Sequence, residues 1–383
     1  MPDVLSLADV IAAMDSWFPP GTAEPWDAVG LTCGDRSTTV ERIVLAVDCV
    51  PATVSETVEV GAQLLLTHHP LLLTGVHSVA VDDVKGAMVH RMISTGIAHF
   101  AAHTNADVAR CGVSESLART LGLTDLLPLA AAPAPALDQL TVFVPADHLG
   151  AVIEALTEAG AGKLGNYDQC TFTVEGTGTY RPGPGAEPFD GELGVLTRKA
   201  EQRLSMVLPR ARRAQVLAAM RAAHPYEEIA FELTEQPALA SGTGTGRIGL
   251  LDRAMSLADF TAHAVSCLPR TAWGVRAAGD PDRTVRRVAV CGGAGDSYID
   301  LARAAGADVF LTSDLKHHRT LEAVTERAQP TGPAPMALVD AAHWATERPW
   351  LDTAAGLLAA EFGSAVDLTV SDTVTDPWSL HVH

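Results

Sequence analysis

Short apolar runs alternate with amphipathic stretches along this chain, at the spacing of strands and helices in an α/β protein. Arg42-Ile43-Val44-Leu45-Ala46-Val47 and Leu64-Leu65-Leu66-Thr67 are near-continuous apolar segments, the pattern of strands covered on both faces. The pattern then repeats. Ser6-Leu7-Ala8-Asp9 returns as Ser256-Leu257-Ala258-Asp259, and Arg42 to Val47 as Arg287-Val288-Ala289-Val290-Cys291-Gly292. Gly61-Ala62-Gln63-Leu64-Leu65-Leu66-Thr67 returns as Gly306-Ala307-Asp308-Val309-Phe310-Leu311-Thr312, and Ala101-Ala102-His103 as Ala341-Ala342-His343. The first echo is a serine N-cap with an acidic residue three positions on, a capping-box start for an amphipathic helix. Four echoes in one order imply two duplicated α/β halves, 1–127 and 247–383, that build one core.

Residues 128–246 differ in kind. The segment is entered through a Pro/Ala-rich stretch at 128–135 and left through Gly242-Thr243-Gly244-Thr245-Gly246, both linkers by composition. Inside, strands are expected over 140–144, 170–179, 203–208 and 229–233, and helices over 147–159 and 210–223. That order is β-α-β-β-α-β, the ferredoxin-like pattern, so an inserted α+β domain is expected. Gly244-x-Gly246-x-x-Gly249 fits a dinucleotide fingerprint in letters only, since no strand of a βαβ unit precedes it. It reads as the hinge back into the core.

Composition narrows the function. With 383 residues, 47% hydrophobic and 19% charged, the chain can bury at least two cores, because single cores stop growing near ~250–300 residues. Six cysteines without a C-x-x-C pair suggest neither a disulfide framework nor a thiolate zinc site, which fits a reducing cytoplasm. The start has no basic region followed by an apolar stretch, and no segment approaches the ~18 apolar residues of a membrane helix. A formal charge of −19 argues against duplex nucleic acid as a partner.

Chemistry concentrates at strand ends. His68-His69-Pro70 closes one apolar run, His103 and Asp107 follow another, and His343 with Glu347 follows the run ending at Ala341. In open α/β sheets ligands gather outside the carboxyl ends of strands. Neighbouring strand residues point to opposite faces, so His68 and His69 serve together only where the backbone turns, toward two different ions. His343 and Glu347, four apart, would share one helix face. Each pair alone is also what an ordinary turn or helix start contains; their coincidence at three strand ends points to a metal site closed by folding.

A resemblance enters on these residues. Trp26-Asp27-Ala28-Val29-Gly30-Leu31, Thr67-His68-His69-Pro70, His103 to Asp107, Val290-Cys291-Gly292-Gly293-Ala294-Gly295, Asp314-Leu315-Lys316-His317-His318 and His343 to Glu347 resemble the dinuclear-metal-centre proteins known as GTP cyclohydrolase type 2 homologues, or NGG-interacting-factor-three-like proteins. The resemblance spans nearly the whole chain. It implies two divalent metal ions (zinc, manganese or iron) held by His68, His69, Asp107, His343 and Glu347, and a toroidal homohexamer. It also implies a PII- or CutA-like insert, whose longer class His224-Pro225-Tyr226-Glu227-Glu228 matches. Ser313 stands where the family more often has glycine.

His103, Asp314, His317 and His318 are expected to support the ligands from behind. Two ions would lower the pKa of a bound water toward ~7, making that water the expected nucleophile of a hydrolase on a nucleotide or another small phosphorylated molecule. The alternative is a non-catalytic metal-sensing or scaffolding hexamer with a regulatory insert.

Overall fold

The computed structural model describes residues 5–237, 240–325 and 335–382. In chain order the first part contains α1 (Leu7–Trp17), β1 (Gly30–Cys33), β2 (Arg42–Ala46), α2 (Pro51–Glu59), β3 (Leu64–Thr67), α3 (Val84–Ser94), β4 (Ala98–Ala101), α4 (Thr104–Val108), α5 (Val113–Thr120) and β5 (Thr124–Pro133). Then come β6 (Leu137–Pro145), α6 (Leu149–Glu158), β7 (Thr171–Tyr180), β8 (Thr197–Pro209), α7 (Arg213–Ala223) and β9 (Phe231–Glu235). The last part holds β10 (Ala240–Ser256), α8 (Leu257–Cys267), β11 (Val275–Ala278), β12 (Thr284–Ala294), α9 (Ile299–Ala304), β13 (Val309–Ser313), α10 (His317–Val324), β14 (Ala337–Ala341), α11 (His343–Glu347), α12 (Pro349–Phe362) and β15 (Asp367–Val370). The chain divides into two compact units: residues 133–241 form one and the remainder the other.

Two sheets of the larger unit share one strand order. One runs β1-β4-β3-β2-β15 and the other β11-β14-β13-β12-β10-β5. In each, the first strand is antiparallel to its neighbour and the next three are parallel. The sequence echoes fall on matching elements. Ser6 caps α1 by accepting from the Asp9 amide while Asp9 accepts from the Ser6 amide at 2.9 Å. Ser256 caps α8 by accepting from the Asp259 amide at 3.1 Å. Strands β3, β4, β13 and β14 are buried along their whole lengths, as continuous apolar runs require.

The two halves exchange their last elements. Helix α12 packs Trp350, Leu351, Ala354 and Leu358 against Ile43, Leu45 and Leu66 of the first sheet, and β15 pairs in parallel with β2. Reciprocally, α5 and its C-cap set Leu117 and Leu121 against Val288, Val290 and Leu311 of the second sheet, which β5 completes at its edge. Arg247 of β10, 1% exposed, donates to the carbonyls of Ala109 at 2.7 Å and Gly246 at 2.8 Å and pairs with Glu115 at 3.3 Å. A buried guanidinium persists only with such partners. Neither half could therefore close its core alone.

Both expected linkers are strands. Residues 128–133 lie in β5, at a sheet edge where proline costs no ladder hydrogen bond, and 242–246 lie in β10. The glycines serve close approach, not hinging: a Cβ on Gly244 would sit 2.1 Å from the Ala130 carbonyl oxygen, and one on Gly249 2.7 Å from that of Thr124. In the smaller unit the sheet order is β7-β8-β6-β9, antiparallel throughout. One face packs Leu140, Val142 and Leu204 against Val152 and Leu156 of α6 and Val216 of α7. No helix among the described residues is long and apolar enough to cross a membrane.

Candidate metal centre

The carboxyl ends of β3, β4 and β14 meet at one place. Chain direction brings two of them together, since β3 and β4 are parallel neighbours in one sheet and deliver the residues that follow them to the same sheet edge; β14 belongs to the other sheet, and the residues that follow it meet theirs across the two sheets. After β3 the chain turns at His68-His69-Pro70; after β4, His103 caps α4, which carries Asp107; after β14, α11 begins at His343 and ends at Glu347. The four-residue spacing puts His343 Nε2 3.0 Å from Glu347 Oε1.

Glu347 is the hub. Its carboxylate, 4% exposed, stands 3.4 Å from His68 Nε2 and 3.1 Å from His69 Nε2 as well. Asp107 Oδ1 lies 4.0 Å from His68 Nε2. The rings of His68 and His103 are 5.1 Å apart, those of His69 and His103 5.4 Å, and those of His69 and His343 5.4 Å. Two overlapping donor groups result, His68/His69/His103 and His69/His343/Glu347, each with its donor atoms within 4.8 Å of one another. His68 Nε2 and Asp107 Oδ1 are sealed from solvent with no hydrogen-bond partner. Orphaned donors of this kind, facing each other, fit a cation whose coordination would satisfy them. Gly293 makes room: a Cβ there would meet Glu347 Oε1 at 2.6 Å, and its φ of +65° suits glycine.

The comparisons with known proteins agree on what this chain is. The family model described as Duf34/NIF3 (NGG1p interacting factor 3) matches residues 5–377. The chain belongs to the DUF34/NIF3 family. A Mycobacterium leprae protein named GTP cyclohydrolase 1 type 2 homolog is 48% identical over 375 residues, covering 98% of this chain and 95% of that protein. A Bacillus subtilis protein of the same name is 34% identical and covers 97% of each chain. Among solved structures, a Bacillus cereus protein related to NIF3 matches with a TM-score of 0.75 at 33% identity, covering 99% of this chain and 100% of that one. A Staphylococcus aureus protein matches at 0.83 and 28%, covering 99% of each.

In this DUF34/NIF3 chain every histidine of the cluster is held from behind. His69 Nδ1 bonds Asp48 at 2.7 Å, His103 Nδ1 bonds Asp27 at 2.8 Å, His343 Nδ1 bonds Asp314 at 2.6 Å and His68 Nδ1 bonds the Ala102 carbonyl at 2.9 Å. A pure acceptor at Nδ1 demands Nδ1–H, which leaves the Nε2 lone pair facing the site. Without an ion, burial works against protonating His69, but Glu347 and Asp48 outweigh it and lift it to about 10. Glu347, against its burial, and Asp314 lift His343 to about 11. Burial pushes Asp107 up to about 6 against the pull of His68. Burial would also raise Glu347, yet the surrounding imidazoles hold it well below the usual carboxylate range.

Asp314, expected as a supporting residue, contacts His343 Nδ1, and its φ of +56° shows the tight backbone after β13. His103 lies within a donor group itself. His317 and His318 stand exposed at the start of α10, 5.2 Å apart by ring centroids, and His317 borders a separate cavity with Arg276 and Asp340. Neither joins the donor groups found among the described residues. Sequence reasoning assigned no role to Asp27 or Asp48, and met Gly293 only within the run Val290 to Gly295, not as room for Glu347. Asp48 ends the run after β2 and could have been found by the strand-end rule that found His68; Asp27, in a loop before β1, carried no such signal.

Proposed function

We propose that His68, His69, Asp107, His343 and Glu347, with His103 beside them, hold two divalent metal ions and that the protein hydrolyses a nucleotide or a related small phosphorylated molecule. The observation that carries this reading is Glu347, a buried carboxylate within 3.4 Å of three imidazole nitrogens. His69 belongs to both donor groups, which favours a pair of ions over one. Donors of nitrogen and oxygen without thiolate suit zinc, manganese or iron. Such ions, when bound, activate water and polarise a phosphoryl or carbonyl oxygen. The chain's own part is to fix four imidazole tautomers through Asp48, Asp27, Asp314 and the Ala102 carbonyl, and to keep Glu347 dry. The relatives' name, GTP cyclohydrolase 1 type 2 homolog, makes GTP the first substrate to try.

The wider reading is a cytoplasmic toroidal homohexamer whose subunit comprises two core halves, expected at 1–127 and 247–383, and a PII-like insert, expected at 128–246 and compact over 133–241. The order β7-β8-β6-β9 with both helices on one face supports a ferredoxin-like insert. To test the activity, the protein is loaded with zinc, manganese or iron and assayed on GTP and a panel of phosphoesters. Turnover is expected, and its loss in both His68→Ala and Glu347→Ala; turnover that survives both changes excludes this site. Full metal occupancy with no turnover on a broad panel would favour the sensing or scaffolding hexamer.

A further inference from the structure

The insert contains a cavity of about 690 Å³, walled mostly by apolar atoms, a size and lining typical of small-molecule sites. Strand register builds it. Gly176 pairs with Glu201, Val174 with Arg203, and Phe143 with Arg203, so these residues share the sheet face opposite α6 and α7. Tyr180, Phe189 and Tyr226 close over that face, with ring centroids of Tyr180 and Phe189 6.0 Å and 6.1 Å from that of Tyr226. Gly178 keeps the floor open, since a Cβ there would fall 2.0 Å from the Glu201 carboxylate.

Glu201 lies at the centre, 8% exposed. The Tyr226 hydroxyl donates to its Oε1 at 2.8 Å. Burial, then Glu201 itself, raises the Tyr226 phenol well above its usual range, so the hydroxyl stays a donor. No lysine, arginine or histidine among the described residues forms an ion pair with Glu201. His224 is committed elsewhere: its Nδ1 accepts from the Tyr226 amide at 3.1 Å, so Nε2 carries the proton it gives to the Phe143 carbonyl at 2.9 Å. That imidazole is therefore neutral. Lys199 is taken by Asp190, and Arg203 is exposed to water. A buried carboxylate without a counter-ion is costly, and aromatic faces around it attract cations. Exposed Glu175, Glu227 and Glu228 extend the negative field at the rim.

We propose that this cavity binds a small organic ammonium cation with an apolar body, the cationic head on Glu201 and the body against Tyr180, Phe189 and Tyr226. The site is independent of the metal centre. The test is calorimetric titration of the full-length protein with phenethylammonium and with its anionic isostere 3-phenylpropanoate, supported by saturation-transfer NMR. The ammonium is expected to bind about tenfold or more tightly than the carboxylate, and Glu201→Gln to weaken it about tenfold. Phe189→Ala, a half-exposed ring whose loss leaves the core intact, is expected to weaken it severalfold, and His68→Ala to leave it unchanged. Unaltered melting temperatures would show that the variants fold. Equal binding of the two probes, tighter binding of the carboxylate to Arg181 and Arg203, indifference to Glu201→Gln, loss in His68→Ala, or no signal at millimolar amine would each overturn the proposal.

Discussion

The two halves of the core present equivalent strand ends and unequal chemistry. By the echoes in the sequence, His103 and Asp107 correspond to His343 and Glu347, so a histidine and an acid four residues later occur in both. The other positions diverge. His68 and His69 after β3 correspond to Ser313 and Asp314 at β13, and Asp48 corresponds to Gly293. Each divergence has a physical consequence. The first half supplies three imidazoles and the aspartate that steadies His69; the second supplies the central carboxylate and, at Gly293, the empty space it needs. Even the shared pair is unequal: Glu347, 4% exposed, contacts three imidazoles, whereas Asp107, 20% exposed, comes within 4.0 Å of His68 alone among the described histidines. Two sheets of matching strand order give the scaffold, and one asymmetric cluster stands between them.

The largest effect expected from that asymmetry is in Glu347→Gln against Asp107→Asn. Glu347→Gln should abolish binding of both ions and destabilise the metal-free protein by about 3–5 kcal/mol, the cost of stripping one partner from a buried ion pair. Asp107→Asn should cost one ion. Elemental analysis with denaturant titration reads both, and equal losses from the two changes would make the acids equivalent after all.

How much of this was legible in the sequence follows from which signals are local. His68 and His69 end an apolar run, and His343 and Glu347 begin a helix after another; both patterns survive translation into structure because in each sheet ligands gather beyond the carboxyl ends of the parallel strands. The strands at 128–133 and 242–246 were hidden because proline and glycine mark turns and close backbone approach alike. Only the fold places Gly244 against Ala130. The exchange of α5 with α12 was equally silent, since their apolar faces do not say which sheet they cover. His317 and His318 looked placed for the metals by type, but they begin α10, beyond the turn that Asp314 makes.

A smaller effect separates the supporting carboxylates. Asp48 and Asp314 hold the Nδ1 atoms of His69 and His343, but Asp48 is 26% exposed and Asp314 54%. Water can replace Asp314 more readily. Asp48→Asn should weaken metal affinity toward the upper end of the roughly 10–100-fold range for such partners and Asp314→Asn toward the lower. Metal competition with a chromophoric chelator measures the ratio; a larger loss in Asp314→Asn would reverse the ranking of the halves.

The smallest effect under neutral conditions, and the sharpest against pH, concerns His99, which the echoes align with Val339. Both are fully buried. The Thr67 hydroxyl donates to the His69 carbonyl at 2.7 Å, so its oxygen accepts from His99 Nε2–H at 2.8 Å, and His99 Nδ1 is left buried without a partner. A second proton would have no acceptor there, and burial accordingly lowers the His99 pKa from 6.5 to about 4. The unfolded chain thus takes up its proton first as pH falls, and the folded state loses stability between pH 6.5 and about 4, by roughly 3 kcal/mol from this group. Above pH 6.5 the group contributes no slope. His99→Val, giving the first half the residue of the second, should leave neutral stability within about 1–2 kcal/mol, since it removes one buried hydrogen bond, and should flatten the acid slope by the amount above. Urea titrations of metal-free protein at neutral pH and near pH 4 decide it. Parallel losses in both proteins would mean that His99 is reached by water or by an acceptor in acid, and that this strand is no more acid-sensitive than its counterpart β14.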